Sequence, residues 1–345
     1  MRLLPAGLGR YILRRVAFAA IVMFGMITLV FFISRVIPSD TAQLYVGPKA
    51  TAEQLRRAAE ELGLNRPLHE QYLTYVSKLL TGDWGISLRA KTPVLGDVLK
   101  FLPATLELVI CAYVVAILIG IPLGVFSAVR QNSMIDHGGR ILAVAGVSIP
   151  SFWLALLLQL LFFGTLGVLP LVGRLDIESS ILHPISNITG FHVLDSLLTM
   201  NVVAFVDSAR HLVLPSIALS TYPLGLITRM TRSMMIEVLN EPYIRFARAN
   251  GMIERLVIFK YALKNAIIPT LTVLGLSFSY SITGAFLVET IFTWPGLGTY
   301  TVNSILEVDY PAIIGVVIFG TVFYVVINLL VDIVQAYLDP RVRLR

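Results

Sequence analysis

Six windows of this chain are long, apolar and almost free of charge. They run from about Val16 to Ile37, Phe101 to Val129, Ile141 to Leu169, His211 to Met235, Ala266 to Phe292 and Tyr310 to Tyr337. Each is near or above the roughly 20 residues a helix needs to cross a bilayer. Charged residues make up 14% of the chain, against about a quarter in a soluble domain. The windows predict an all-α membrane protein with six transmembrane helices.

The first window follows Arg10, Arg14 and Arg15 and has no A-x-A-like cleavage site, so it reads as a retained signal-anchor helix and not as a cleaved leader. Basic residues gather at span ends: Arg2 to Arg15, then Arg130 and Arg140, then Arg229 to Lys264, then Arg341, Arg343 and Arg345. The stretch 292–309 has no Lys or Arg. All the basic segments share one side if both termini are cytoplasmic, as the positive-inside rule requires. That arrangement accounts for the net charge of +6 and implies a lipid bilayer as partner, with no nucleic acid. The single cysteine, Cys111, excludes an internal disulfide and reads as a packed thiol.

Between the first two windows lies a polar segment, 38–100, expected to be a small extracytoplasmic domain. Thr51 and Gln54 make a capping box, with Leu55, Ala58, Ala59 and Leu62 on one helix face. Gly63 ends that helix and Pro67 starts a second through Tyr72, Val76 and Leu79. GDWGIS then turns, and Trp84 needs a surface to bury against. Pro103, Pro122 and Pro150 lie in spans, where neighbouring helices or a cavity must supply backbone partners. The loop 170–210 shows no clear pattern; its Asn187-Ile188-Thr189 sequon is a common chance match. No repeat is visible at a period of 20–50 residues.

Absences narrow the function. No Gly-Lys pair occurs, so the chain has no Walker A loop and is not expected to hydrolyse ATP or to be an enzyme. No H-E-x-x-H or G-x-S-x-G occurs; His69-Glu70 is followed by Leu73 where a second histidine would stand. No catalytic, cofactor or metal residue is expected. The few acids in the windows, Glu107, Glu289 and Asp332, lie near span ends and are expected to make interfacial hydrogen bonds. Ion-coupled carriers place such groups at membrane depth, so a self-powered transporter is disfavoured.

The connection 240–265 is unusually basic for so apolar a chain, with Arg245, Arg248, Arg255, Lys260 and Lys264. Asn240 is expected to cap a helix containing Pro242, with Tyr243, Phe246 and Ala247 on one face and Arg245 and Arg248 opposite. Asn250-Gly251 stops it. A second helix from Met252 should place Leu256, Phe259, Leu263 and Ile267 on one side, and break near Pro269. The result is a small apolar-and-arginine knuckle. It could lie on anionic lipid as an anchor or dock in a groove of another protein.

YIRFARANG followed by ALKNAIIP resembles the "EAA" loop of binding-protein-dependent ABC permeases, in the variant of the oligopeptide/dipeptide/nickel branch. With Gly251 at the family glycine, Arg245, Phe246 and Ala247 stand where Glu-Ala-Ala would be, and only Ala247 matches. LGLNRPLHEQYLTYVSKLLTGDWGIS at 62–87, LPATLEL at 102–108, GIPLGV at 120–125, SIPSFWLALLL at 148–158, FTWPGLG at 292–298, DYPAIIGVVIF at 309–319 and the tail NLLVDIVQAYLDPRVR are similar to that branch in the same order.

The resemblance implies an OppB/DppB-type subunit with an ABC importer type I permease core (MetI-like). Residues 1–37 would be the cytoplasmic N-terminus and first span, 38–100 the extracytoplasmic domain, 101–337 the core and 338–345 a cytoplasmic tail, in the cell (plasma or inner) membrane. It would pair with a homologous second permease subunit. Two ATPase subunits, or one fused ATPase, would bind ATP-Mg, and an extracytoplasmic solute-binding protein would deliver short peptides. Nickel chelates, haem-like solutes or oligosaccharides are the alternative cargo. A stand-alone channel or structural membrane subunit is the rival class. The resemblance assigns ATPase docking to Tyr243, Arg245, Phe246, Ala247, Arg248, Ala249, Gly251 and Met252. FTWPGLG reads either as a turn with Trp294 as an interfacial anchor or, with Pro295, Gly296 and Gly298, as part of an outer gate. Pro150, Pro223, Gly275 and Gly284 are candidate bending points, with helix packing the plainer role for the glycines.

Overall fold

A computed structural model describes residues 8–35, 41–47 and 49–338. The basic tail and the first residues therefore lie outside the described residues. Among those described there is no β-strand, only an isolated bridge between Ile86 and Pro93. The helices are α1 (Leu8–Arg35), α2 (Thr41–Val46), α3 (Ala52–Glu61), α4 (Leu68–Leu80), α5 (Val94–Val129), α6 (Met134–Ser148), α7 (Ser151–Leu158), α8 (Ile177–Leu182), α9 (His192–Leu198), α10 (Val202–Leu239), α11 (Pro242–Ala249), α12 (Glu254–Leu256), α13 (Leu263–Gly284), α14 (Phe286–Ile291), α15 (Leu297–Leu306) and α16 (Tyr310–Leu338). The chain is an all-α membrane protein. Among the described residues five helical stretches are long and apolar enough to span, Gly9–Ser34, Val94–Val129, Val202–Leu239, Glu254–Ile282 and Tyr310–Ala336, and the bent pair Met134–Ser148 with Ser151–Thr165 makes a sixth if it is one span.

The expected third span is not one helix. α6 and α7 meet at 104°. The cause is local: Pro150 has no N–H to donate, and the residue before a proline is pushed out of the helical region. Ile149 accordingly sits at φ −80, ψ 122. After α7 the backbone widens into a π-helical stretch, Gln159–Thr165. Pro122 and Pro223 behave differently. Both stay inside unbroken helices, so Pro150 is a bending point and Pro223 is not.

α5 and α10 run side by side in the same direction, because small residues let them touch. A side chain on Gly124 would come within 2.7–2.8 Å of Thr231 Cβ and the Thr228 carbonyl. α6 packs against α10 in the opposite sense: a Cβ on Gly146 would lie 2.5 Å from the Thr221 carbonyl, and one on Gly225 would lie 2.5 Å from that of Ala143. Close backbone approach of this kind is how helices associate without a hydrophobic drive. Gly275 instead makes room for the Val331 side chain of α16, whereas Gly284, at the joint of α13 and α14, has nothing near it. Of the two glycines, Gly275 packs and Gly284 marks a break.

The segment before α5 is ordered by its own caps. Thr51 and Gln54 form the reciprocal capping box, Gly63 follows α3 at φ +66, and Pro67 is the N-cap of α4. α4 lies on α1 through Phe31, 5.2 Å from the Tyr72 ring and 5.6 Å from that of Tyr75. Trp84 is half-buried between α4, α5 and α16, and its Nε1 donates to the Leu79 carbonyl at 3.2 Å. Ser87 Oγ donates to Asp309 at 2.5 Å, tying the segment to the start of α16.

The apparently patternless 170–210 loop contains α8, α9 and the first turns of α10. Its order comes from Asp195, which accepts the backbone N–H groups of Ile188, Thr189 and Gly190 and the Thr189 hydroxyl. Burial opposes a charge there, yet these four donors hold the carboxyl below the usual carboxylate range. The Thr of the sequon is thus committed to a turn.

Candidate functional site

At one end of the bundle the FTWPGLG turn closes over buried charge. Trp294 is 1% exposed. Its Nε1 donates to the Ala104 carbonyl at 2.8 Å, and the Arg174 guanidinium stacks over its ring at 5.3 Å. The expected interfacial anchor is therefore a core residue, because α5, through Ala104, and the loop carrying Arg174 cover it. Glu289 is fully buried. It accepts from Thr105 Oγ1 at 2.6 Å, Gly298 N at 2.7 Å and Thr299 N at 3.2 Å. A carboxylate suits the unpaired N–H groups and positive dipole end that begin α15. Thr105 also accepts from Leu297 N at 2.8 Å.

This network explains the glycines. A Cβ on Gly296 would lie 2.5 Å from both Glu289 Oε2 and Thr105 Oγ1, and one on Gly298 would strike Phe286 Cα. Pro295 sits between the two constrained residues Trp294 and Gly296, where Gly296 N donates to the Trp294 carbonyl at 2.8 Å.

Glu107 is likewise buried, not interfacial. It forms an ion pair with Arg174 and accepts from Val193 N at 2.8 Å. Arg174 Nη2 also donates to the Gly190 carbonyl at 2.9 Å. Burial, with the Arg174 charge nearby, pushes neighbouring His192 down to about 4, so it stands neutral beside the pair. Sequence reasoning missed Arg174. Its signal was available: it is the sole Lys or Arg between 170 and 209, in the loop that must face an acid left inside a span window. Asp332 differs from the other two acids. It pairs with Arg15 at 2.9 Å and keeps partial exposure, as an end-of-span group should.

At the opposite end, α11 forms the knuckle. Asn240 does not cap it. Asn240 closes α10, its Nδ2 donating to the Ile236 carbonyl at 2.9 Å, and Glu241 is the residue before Pro242 at the start of α11. Gly251 has φ +73. Gly251 N donates to the Arg248 carbonyl at 2.9 Å and Met252 N to that of Ala247 at 3.2 Å, the paired bonds of a Schellman stop.

The faces also differ from the expected grouping. Ile244 and Ala247 are buried, packed among Val125, Ala128, Met235, Leu239 and Val257. Tyr243 and Phe246 point outward, 41% and 71% exposed. Ala249, Gly251 and Met252 are exposed too. Of the exposed arginines, Arg248 pairs with Glu254 at 2.6 Å and Arg245 donates to the Asn240 carbonyl at 2.9 Å. In the following helix Leu256 and Phe259 are exposed, and the buried line is Val257, Ala262 and Ala266. The reason is a π-helical turn, Val257–Ala262, which advances the buried face by a five-residue step that a 3.6-residue period does not anticipate. The helix runs unbroken through Pro269. Below the knuckle, Asp136 at the start of α6 receives a two-pronged hydrogen bond from Arg232 of α10 at 2.6 and 3.0 Å.

A bundle of broken and close-packed helices long enough to span, with charge sealed at one end and an exposed helix face at the other, is the architecture of a polytopic membrane protein. Residues 120–344 match the family described as "Binding-protein-dependent transport system inner membrane component", and residues 8–113 match the corresponding N-terminal membrane component. The chain belongs to this family of inner membrane transport components. It is 44% identical to the probable D,D-dipeptide transport system permease protein DdpB of Escherichia coli K12, over 93% of this chain and 94% of that one. It is 43% identical to the dipeptide transport system permease protein DppB of Alkalihalophilus pseudofirmus, over 96% and 99%. It is 35% identical to the glutathione transport system permease protein GsiC of Salmonella choleraesuis, over 96% and 98%.

Proposed function

We propose that this chain is a permease subunit of an ABC importer for short peptides, forming half of the pore beside a homologous subunit. ATP-Mg is bound by partner ATPases, and an extracytoplasmic binding protein delivers the solute. The observation that carries the reading is the division of labour on α11. Ile244 and Ala247 root the knuckle in the ends of α5 and α10, while Tyr243, Phe246 and Arg248 are presented outward. The family membership and the peptide permeases among its relatives support the cargo.

ATPase closure would push on the exposed face of α11. The load passes to α5 and α10, which run parallel to the opposite end. There α5 holds Trp294 through Ala104 and Glu289 through Thr105. Motion of the knuckle thus reaches the FTWPGLG turn along one continuous helix, and a two-state opening biased by nucleotide follows.

Reconstitution of the full transporter in vesicles tests the function. Dipeptide with its binding protein should stimulate ATP hydrolysis and be taken up. ATP-driven uptake that ignores peptides, or peptide flux through this chain with no ATPase present, would overturn the reading. In the same orientation both termini are cytoplasmic and 38–100 is outside. A cysteine at Gln54, exposed in α3, should react with an impermeant maleimide added to intact cells; reaction only after the cells are opened would reverse the orientation.

A further inference from the structure

The first turns of α10 carry Asp207 and His211 four residues apart on one face, and the loop entering α8 lays Asp176 beside them. His211 and Asp207 are buried, whereas the Asp176 side chain is 63% exposed. His211 Nδ1 lies 3.0 Å from the Asp207 carbonyl oxygen and 3.2 Å from its Oδ1. A carbonyl oxygen only accepts, so the proton of a neutral ring sits on Nδ1. The Nε2 lone pair then faces Asp176 Oδ1 at 3.5 Å. Two acceptors at that separation repel unless positive charge lies between them. Asp176 N donates to Asp207 Oδ2 at 2.9 Å, which fixes the second carboxylate. Among the described residues no Lys or Arg forms an ion pair with Asp176 or Asp207.

We propose that Asp176, Asp207 and His211 bind a divalent transition-metal ion, with Zn²⁺ as the reference. The donor set of one imidazole and two carboxylates is borderline in softness and favours such an ion over Ca²⁺ or Mg²⁺. Bonds of about 2.0–2.2 Å in tetrahedral geometry set neighbouring ligands about 3.4 Å apart, close to the Nε2–Oδ1 separation. One ligand atom from each of the three residues lies within 4.8 Å of those of the other two, and Asp207 Oδ2, already held on the Asp176 side by Asp176 N, is the oxygen that would join Nε2 and Asp176 Oδ1 on the ion, with water in the remaining position. The Nδ1–H bond to the helix backbone orients the ring, as outer partners of metal-bound histidines do. Solvent reaches the site along exposed Asp176. A bound ion would staple the loop that carries Arg174 to the head of α10.

The test uses the full chain purified from membranes without a polyhistidine tag and stripped with a chelator. Titration with Co²⁺ should give visible ligand-field bands that one equivalent of Zn²⁺ per chain abolishes. Asp176→Asn changes an exposed side chain and should weaken Zn²⁺ by about tenfold or more. His211→Gln should remove the bands. Glu178→Gln, an exposed acid on the same segment, should bind like the parent. Absence of saturable Zn²⁺ binding would overturn the proposal. Parent-like affinity in Asp176→Asn would also overturn it.

Discussion

Trp294→Ala should be among the most destabilising single changes in this chain. The side chain is 1% exposed, and truncating a buried Trp costs about 3–5 kcal/mol. More is lost than packing. The Ala104 carbonyl loses its donor, and the Arg174 guanidinium loses the ring it covers while still paired with buried Glu107. Trp294→Phe separates these effects. It keeps an aromatic face for Arg174 but drops the N–H, at about 1–3 kcal/mol for the orphaned carbonyl, and leaves a smaller gap than alanine does where the indole stood. Thermal unfolding of the purified chain should therefore rank parent, then Trp294→Phe, then Trp294→Ala. An alanine variant that melts with the parent would show that the turn is not structurally committed. A permease whose FTWPGLG turn is a moving gate also predicts that the phenylalanine variant, though folded, transports with altered nucleotide dependence.

Phe246→Asp should do the reverse, leaving the chain stable and abolishing its coupling. Phe246 is 71% exposed and belongs to none of the buried clusters, so its replacement should move stability by no more than about 0.5 kcal/mol. A buried aromatic anchor at a protein interface is worth about 2 kcal/mol or more, roughly a thirtyfold loss of affinity. Copurification of ATPase subunits and peptide-stimulated ATP hydrolysis should both collapse. Full retention of both would leave α11 as a lipid-facing anchor, which an added acid on an anionic surface would weaken only slightly. Ala247 is a poorer probe than its place in the EAA-like pattern suggests. It is buried against this chain's own Val125 and Met235 cluster, so Ala247→Arg would damage the knuckle itself. Gly251→Val would strain the left-handed turn by about 1–2 kcal/mol without a clash, since nothing lies within 4 Å of a Cβ there.

Much of the architecture is local and therefore written in short stretches of chain. The spanning helices follow from apolar length, because lipid offers the backbone no other partner. The Thr51–Gln54 capping box and the Gly251 stop follow from residues a few positions apart, whose chemistry acts within one helical turn. The break at Pro150 is also local in cause. That Pro122 and Pro223 do not break their helices is not, since the close α5–α10–α6 packing holds those helices together. The buried ends escaped a linear reading for the same reason. Glu107 meets Arg174 across 67 residues and Thr105 meets Glu289 across 184. The inward face after α12 was shifted by a π-turn that no helical period reveals. Residue type and spacing determined which segments are apolar and long enough to span, and the local stops at Pro150 and Gly251. Which acids are sealed, whether Trp294 is wet or dry and which side of the knuckle is exposed were decided only by tertiary packing, because burial depends on what other parts of the chain arrive at the same place.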